Sequence, residues 1–284
     1  MTYTSFSDLA NTIRKNLWKV PSDIGLIVGV PRSGLLAALV LGEMLNKPVI
    51  DLDGFIEGKQ PQIGSRGRLI AQGVASRVLV LDDTVYSGGS MERVRAKLQH
   101  VQSVPILYGC IYAEGRDAKE KVDLFFEDNY NPNEELWHLY EWNILHHGNK
   151  LSKRCMFDLD GVLCLDPPDE RDVEHYENYI ANARPMVLPT TKIGAIVTFR
   201  LAKYRKETES WLRQNGIEYG DLIMFNGAEH LDKSAEAAAR YKAKYYSIAD
   251  WATLFVESSA KQAEMIHKFS GKQVFCYENG VMYG

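Results

Sequence analysis

Short apolar runs alternate with amphipathic stretches through the first half of the chain. Gly25 to Val30 (GLIVGV), Val49 to Leu52, Val78 to Leu81 and Val104 to Ile111 read as buried strands, with helices over Leu35 to Leu45 and Met91 to Gln99. Strands alternating with helices predict right-handed crossovers and a parallel sheet. The pattern breaks over 54–75, a polar stretch rich in Gly, Gln and Arg. It is longer than a structural connector needs to be, which predicts a lid or a disordered loop. After a polar, aromatic-rich stretch ending at Trp142, the segment 146–154 (HHGNKLSKR) has linker composition, and the alternation then starts afresh. Strands are predicted at 154–159, 193–197, 222–224, 254–257 and 274–277, with helices at about 202–214, 234–241 and 260–269. The fold class is therefore α/β, in two domains, 1–147 and 152–284.

The chain's 284 residues exceed what one hydrophobic core usually serves, which agrees with two domains. Hydrophobic residues at 45% and charged residues at 25% exclude disordered and fibrous classes. With 33 basic against 37 acidic residues the formal charge is −4, so neither nucleic acid nor an anionic membrane is an expected partner. No start resembling a signal sequence and no run of 18 apolar residues occurs, so a soluble, cytoplasmic protein without a transmembrane segment is expected. Cys110, Cys155, Cys164 and Cys276 are too far apart for paired metal-ligand spacing. They read as reduced core residues, with a reactive thiol as the alternative.

The most informative stretch of the first half is VLVLDDTVYSGGSMERV, Val78 to Val94. Four apolar residues lead to two adjacent acids, a turn rich in hydroxyls and glycine, and a helix. Glycines let the backbone approach an anion, and the N–H groups of the turn and helix start point at it, which suits a phosphate monoester. Asp82 and Asp83 are suited instead to the vicinal hydroxyls of a sugar. The combination specifies a sugar phosphate. The run resembles the phosphoribosyl pyrophosphate (PRPP)-binding signature of type I phosphoribosyltransferases, through Asp82, Asp83, Thr84, Ser87, Gly88, Gly89 and Ser90. Tyr86 stands where that family more often has a small hydroxyl residue. Upstream, Pro31, Arg32, Ser33 and Gly34 follow a predicted strand and resemble the family's pyrophosphate loop. The polar stretch takes the place of its mobile loop, where Arg66 and Arg68 are either clamps for pyrophosphate or simply solvated. The resemblance implies displacement at ribose C1 through an oxocarbenium-like state, with magnesium and loop N–H groups at the leaving pyrophosphate. It also implies that Asp82 or Asp83 assists deprotonation of the acceptor. Acceptor choice would come from a hood built of 1–20 and 112–142, whose aromatics at 134–142 read either as a stacking surface or as core.

In the second half, 154–165 reads RCMFDLDGVLCL. On a strand Asp158 and Asp160 share a face, and Gly161 permits a turn just beyond. Carboxylates so placed can share a hard cation and divide the work of nucleophile and acid. This resembles the first motif of the haloacid dehalogenase-like phosphatase superfamily. Thr198, read as ending a strand, resembles the second motif. Lys233 at a helix start resembles the third, with Lys242 and Lys244 competing for the place. The interval from Lys233 to Glu257 holds one helix and one strand, which favours Lys233. Glu257 resembles the metal-binding acid of the fourth motif, although the family more often has Asp there and a second acid where Ser258 and Ser259 stand. The resemblance implies Asp158 as nucleophile, Asp160 as acid and then base, Thr198 and Lys233 on the phosphoryl group, and Mg2+ held by Asp158, Asp160 through its backbone, and Glu257. The segment 162–189 is long enough only for a small cap.

Together the two resemblances imply transfer of 5-phosphoribose from PRPP to an acceptor, then removal of the 5-phosphate. Such a pair resembles the phosphoribosyltransferase and phosphatase modules that install ribofuranose in bacterial surface polysaccharides. That implies a glycan acceptor, lipid-linked or free, handled at the cytoplasmic face of the membrane. A nucleobase phosphoribosyltransferase fused to a nucleotidase and a noncatalytic PRPP sensor are the alternatives. A homodimer is expected only by analogy with type I relatives.

Overall fold

A computed structural model describes residues 1–61, 77–101, 104–132, 138–146, 150–167, 173–227 and 234–284. The chain divides into two units, Met1–His138 and Leu139–Gly284. Arg66, Arg68, Lys233 and part of the aromatic stretch at 134–142 lie outside the described residues.

The first unit opens with β1 (Thr2–Thr4) and α1 (Phe6–Lys15). Ser5 caps α1 reciprocally with Asp8, each side chain accepting the other's backbone N–H. There follow β2 (Ile24–Gly29), α2 (Ser33–Leu45), β3 (Val49–Asp51), α3 (Leu52–Ile56), β4 (Arg77–Val85), α4 (Gly89–Lys97), β5 (Ile106–Ala113) and β6 (Leu124–Asp128), and β7 (His138–Tyr140) spans the junction of the units. The five strands β3-β2-β4-β5-β6 form one parallel sheet. Val78, Leu79, Val80 and Leu81 are all sealed from solvent, so β4 is buried on both faces. Each such side chain contributes about 1.5–3 kcal/mol of transfer free energy. After β2 the chain lays β3 on one side and β4 on the other, and the diverging crossovers open a crevice beyond the carboxyl ends of β2 and β4.

The second unit contains β8 (Cys155–Phe157), α5 (Val173–Asn182), β9 (Ile193–Leu201), α6 (Arg205–Gln214), β10 (Tyr219–Phe225), α7 (Ala235–Ile248), β11 (Leu254–Glu257), α8 (Ala260–Ser270), β12 (Val274–Cys276) and β13 (Val281–Tyr283). Its sheet runs β10-β9-β8-β11-β12-β13, parallel except for the antiparallel β13. Here the strand order reverses between β8 and β11. The architecture is thus mixed α/β with parallel sheets in both units.

Several elements differ from the apolar pattern. β4 continues through Asp82, Asp83, Thr84 and Val85, because β5 goes on pairing with it as far as Ala113 and a backbone ladder needs no apolar side chains. Conversely β8 stops at Phe157, so Asp158 and Asp160 stand beyond the strand and strand alternation is not what relates them. The helix expected at 234–241 runs to Ile248, and the strand expected at 193–197 to Leu201. Helix α1, helix α3 and the strands β6 and β13 carry no signal in that pattern. All four cysteines are free and buried, as the reduced-core reading expects, and burial pushes their thiols up, Cys164 to about 12.

Two candidate active sites at the strand ends

In the first unit, the Pro31–Gly34 turn leaves the end of β2 and the Tyr86–Ser90 turn leaves the end of β4, so both open on the crevice where the crossovers diverge. The Pro31–Arg32 peptide is cis. Val30 donates its N–H to the Leu81 carbonyl at 2.9 Å, which ties the first turn to β4. Gly34 then passes so close to β4 that a Cβ on it would stand 2.8 Å from the Asp82 Cα and 2.8 Å from the Leu81 oxygen. Any larger residue would push the turn off the acidic pair. Gly88 takes the left-handed conformation at φ 80° and caps α4, which leaves the first N–H groups of that helix directed outward from the turn.

Asp82 and Asp83 are both buried, at 7% and 6% exposure. Asp82 accepts the Asp83 N–H at 3.0 Å and the Ser90 hydroxyl at 3.5 Å. Burial first, and the neighbouring Asp83 second, push the Asp82 carboxyl well above the usual carboxylate range. Thr84 donates its hydroxyl to Asp83 at 3.3 Å, and Ser87 accepts the Gly89 N–H at 3.5 Å. Pro31, Arg32, Tyr86, Ser87 and Ser90 are exposed and Ser33 and Gly89 half-buried, so a solute reaches the turns while the acids sit at their floor.

In the second unit, the site is assembled from the ends of β8, β9 and β11 and from α7 and α8. Gly161, at φ 77°, approaches Ser258 so closely that a Cβ would lie 2.5 Å from the serine's Cβ, which seats the Asp158–Gly161 turn beside Glu257. Asp158 is 4% exposed and Glu257 is 0%. Between them lies the Lys242 ammonium, donating to Asp158 Oδ2 at 2.6 Å, Glu257 Oε2 at 2.7 Å and Gln262 Oε1 at 3.0 Å. The other Asp158 oxygen accepts the Leu159 N–H at 2.8 Å, and the other Glu257 oxygen accepts the Ser258 and Ser259 N–H groups at 3.1 and 3.2 Å. Burial, and then Glu257, push the Asp158 carboxyl far up, whereas burial of Lys242 is outweighed by the two carboxylates, which hold its ammonium charged.

Asp160 is engaged separately. Arg200 donates Nη2 to Asp160 Oδ1 at 2.5 Å and Nε to Oδ2 at 3.4 Å, and Tyr179 donates its hydroxyl to Oδ1 at 2.6 Å. The pairing of β9 with β10 shifts register between Met224 and Phe225, opposite residues 198–201 of β9. This irregularity lies at Thr198 and Arg200, both buried. The Thr198 hydroxyl accepts the Arg200 N–H at 3.1 Å.

Asp158, Asp160, Thr198 and Glu257 therefore lie at or just past the level where β8 ends, on or just after the neighbouring strands β9, β8 and β11. The cation between Asp158 and Glu257 is Lys242, one of the two lysines that competed with Lys233, which lies outside the described residues. Arg200 and Tyr179 were not among the candidates, and Lys242 was only a competing one. Lys242 interrupts the small apolar face of α7 formed by Ala238, Ala239, Ala243 and Tyr246, a signal visible only if the helix is carried past 241. Arg200 lies two residues after Thr198 and needs β9 carried past 197 to be noticed. Tyr179, on α5, has no sequence signal beyond helical spacing.

Asp158 and Glu257 bring two buried carboxyl groups to one ammonium, a set of hard oxygen donors that a divalent cation could share. That donor chemistry suits Mg2+. Among the described residues no three His, Cys, Asp or Glu side chains form a metal-holding group. No helix among the described residues is long and apolar enough to cross a membrane.

No protein-family model matches the chain, and no curated protein is significantly similar to it. Solved structures do resemble part of it, among them the following. A Helicobacter pylori xanthine-guanine-hypoxanthine phosphoribosyltransferase is 18% identical over 50% of this chain and 93% of its own, with a TM-score of 0.36. A purine phosphoribosyltransferase from Pyrococcus horikoshii Ot3 is 20% identical over 50% and 92%, with a TM-score of 0.35. An orotate phosphoribosyltransferase from Aeropyrum pernix is 18% identical over 43% and 70%, with a TM-score of 0.32.

Proposed function

We propose that the chain is a bifunctional enzyme that transfers 5-phosphoribose from PRPP to an acceptor and then removes the 5-phosphate. The observation that carries this reading is that each unit brings its own motif residues to the strand ends where its strand order reverses: Pro31–Gly34 with Asp82–Ser90 in one, Asp158 with Glu257 in the other. A phosphoribosyltransferase product keeps the ribose 5-phosphate, which is the kind of ester the second site would hydrolyse.

At the first site the 5-phosphate sits on the N–H groups of Ser87 to Ser90, and Asp82 and Asp83 take the ribose hydroxyls. The bond from C1 to pyrophosphate breaks as the acceptor oxygen bonds to C1, and the acceptor proton passes to one of the two carboxylates. Their negative charge favours the cationic ring of the transition state. Arg32 and Ser33 line the leaving pyrophosphate, with Arg66 and Arg68 proposed to close over it. At the second site Asp158 attacks phosphorus and the ester oxygen leaves with a proton from Asp160. Water then displaces Asp158 from phosphorus while Asp160 takes the water's proton, releasing phosphate. Thr198 and Lys242 donate to the transferring group, with Lys233 retained as a second candidate cation. Asp158, Glu257 and the Asp160 carbonyl would hold Mg2+, which when bound supplies charge neutralisation of the phosphoryl oxygens.

The proposed acceptor is a glycan, with action at the cytoplasmic face of the membrane when that glycan is lipid-linked. The test incubates the protein with PRPP, Mg2+ and either an oligosaccharide or a panel of nucleobases, following pyrophosphate and phosphate. Asp158→Asn should still release pyrophosphate and accumulate a phosphoribosylated product, while Asp83→Asn should abolish transfer and keep the phosphatase. Loss of both activities in Asp158→Asn would overturn the sequential scheme. Reaction with bases but not glycans would replace the acceptor.

A further inference from the structure

The two oxygens of Asp160 are unequally occupied. Oδ1 accepts from Arg200 Nη2 at 2.5 Å and from the Tyr179 hydroxyl at 2.6 Å, with the Cys164 thiol at 3.4 Å. Among the described residues Oδ2 has only the long 3.4 Å contact from Arg200 Nε. The anchors are themselves held. Arg200, whose side chain is fully buried, donates Nη1 to the buried Thr208 hydroxyl at 3.2 Å. The Tyr179 hydroxyl also meets the Leu165 carbonyl, and its ring stacks on Tyr176, which meets Tyr204 edge to face. A buried arginine and a half-buried phenol on one carboxylate oxygen are more than charge balance at a surface requires. They fix the plane of the carboxyl group.

We infer that Arg200 and Tyr179 are positioning residues that pin Asp160 through Oδ1 and leave Oδ2 to exchange the proton with an unactivated alkoxide leaving group. The inference rests on the phosphatase reading of this unit and narrows it to alkyl phosphates, such as the 5-phosphate of a ribosyl group. In the step itself the ester P–O bond breaks as Asp158 bonds to phosphorus, and the proton on Oδ2 passes to the departing oxygen. Oδ2 recovers a proton from the water that displaces Asp158. Tyr179 and Arg200 exchange nothing and act only through the orientation of Asp160. Because Tyr179 comes from α5, in the segment that follows the Asp158–Asp160 turn, that helix becomes part of the acid's support.

An alkyl ester needs its leaving oxygen protonated, whereas p-nitrophenolate leaves without help, so the two separate orientation of the acid from general damage. The test uses the full chain with Mg2+ on ribose 5-phosphate and on p-nitrophenyl phosphate. Tyr179→Phe keeps the ring packing and should lower kcat on ribose 5-phosphate about tenfold, with KM and the aryl rate within about twofold. Arg200→Lys keeps the charge but not the fork and should lower the alkyl rate about 100-fold, with the aryl rate again far less affected. Equal losses on both esters, or no loss with Tyr179→Phe, would overturn the positioning role even if Arg200→Lys fails to fold. Absence of any Asp158-dependent hydrolysis in the unsubstituted protein would overturn the phosphatase reading, and this inference with it.

Discussion

At the first site the hydrogen bonds to Asp82 come from neutral donors, the Asp83 amide and the Ser90 hydroxyl, and burial with the adjacent acid pushes its carboxyl up. At the second, Asp158 and Asp160 each meet a buried cation, Lys242 and Arg200. The two settings suit reacting groups of opposite charge. In the proposed chemistry the first site faces a ribosyl ring that becomes cationic, which the negative charge of adjacent carboxylates serves directly. The second faces a phosphoryl dianion, which two bare carboxylates would repel, and a built-in ammonium and guanidinium reduce that repulsion before the substrate arrives. Burying Asp82 beside a second acid costs stability, which a binding site retains for function.

Substitutions can break or sharpen this contrast. The largest effect is expected from Asp158→Asn, which should lower phosphate release by about 10⁴-fold and leave pyrophosphate release within about twofold, measured in parallel assays of one preparation. Next, Lys242→Met leaves Asp158 and Glu257 buried without their shared ammonium. It should destabilise the second unit by about 3–5 kcal/mol in urea unfolding without divalent cation. Lys244→Met, at an exposed position two residues on, should stay within about 0.5 kcal/mol. Equal effects of these two lysines would show that the buried ion triad contributes nothing.

Gly34→Ala drives a methyl group into the β4 backbone and should cost about 1–3 kcal/mol, together with loss of transfer, read by thermal unfolding and pyrophosphate release. The smallest effect has the opposite sign. Asp82→Asn keeps the acceptor for the Asp83 amide and removes a charge that the fold disfavours, so it should stabilise the first unit by about 1 kcal/mol at pH 7 while abolishing transfer. Because the folded-state carboxyl titrates above its unfolded value, the folded protein binds the extra proton and the wild type loses stability as pH rises from the ordinary aspartate range through the raised one. The gain from Asp82→Asn should therefore shrink to nothing in acid, and unfolding midpoints at pH 3 and pH 7 check it. A gain that persists in acid would sink the explanation by charge burial.

Legibility in the sequence followed the reach of each signal. Asp82, Asp83, Gly88 and Gly89 were readable because a phosphate-binding turn uses neighbours in the chain, and Asp158 and Asp160 for the same reason. Lys242 was readable only as one of three competing lysines, and Arg200 not at all. Each lies just past the point where an apolar run fades, in an element extended by pairing or packing: β9 by β10, and α7 by the sheet beneath its alanines. Tyr179 depends on where α5 rests.

From its residues alone this chain determined two α/β units, the burial of its cysteines and the local motifs that open each crevice, because alternating apolar runs and short turns are encoded within a few residues. The tertiary structure alone decided which side chains would carry the charge: that Gly34 would lie against Asp82, that Lys242 of the candidate lysines would sit between Asp158 and Glu257, and that Arg200 would hold Asp160. Those choices join residues 15 to 84 positions apart at the second site, and only strand order and helix packing bring such partners within a hydrogen bond.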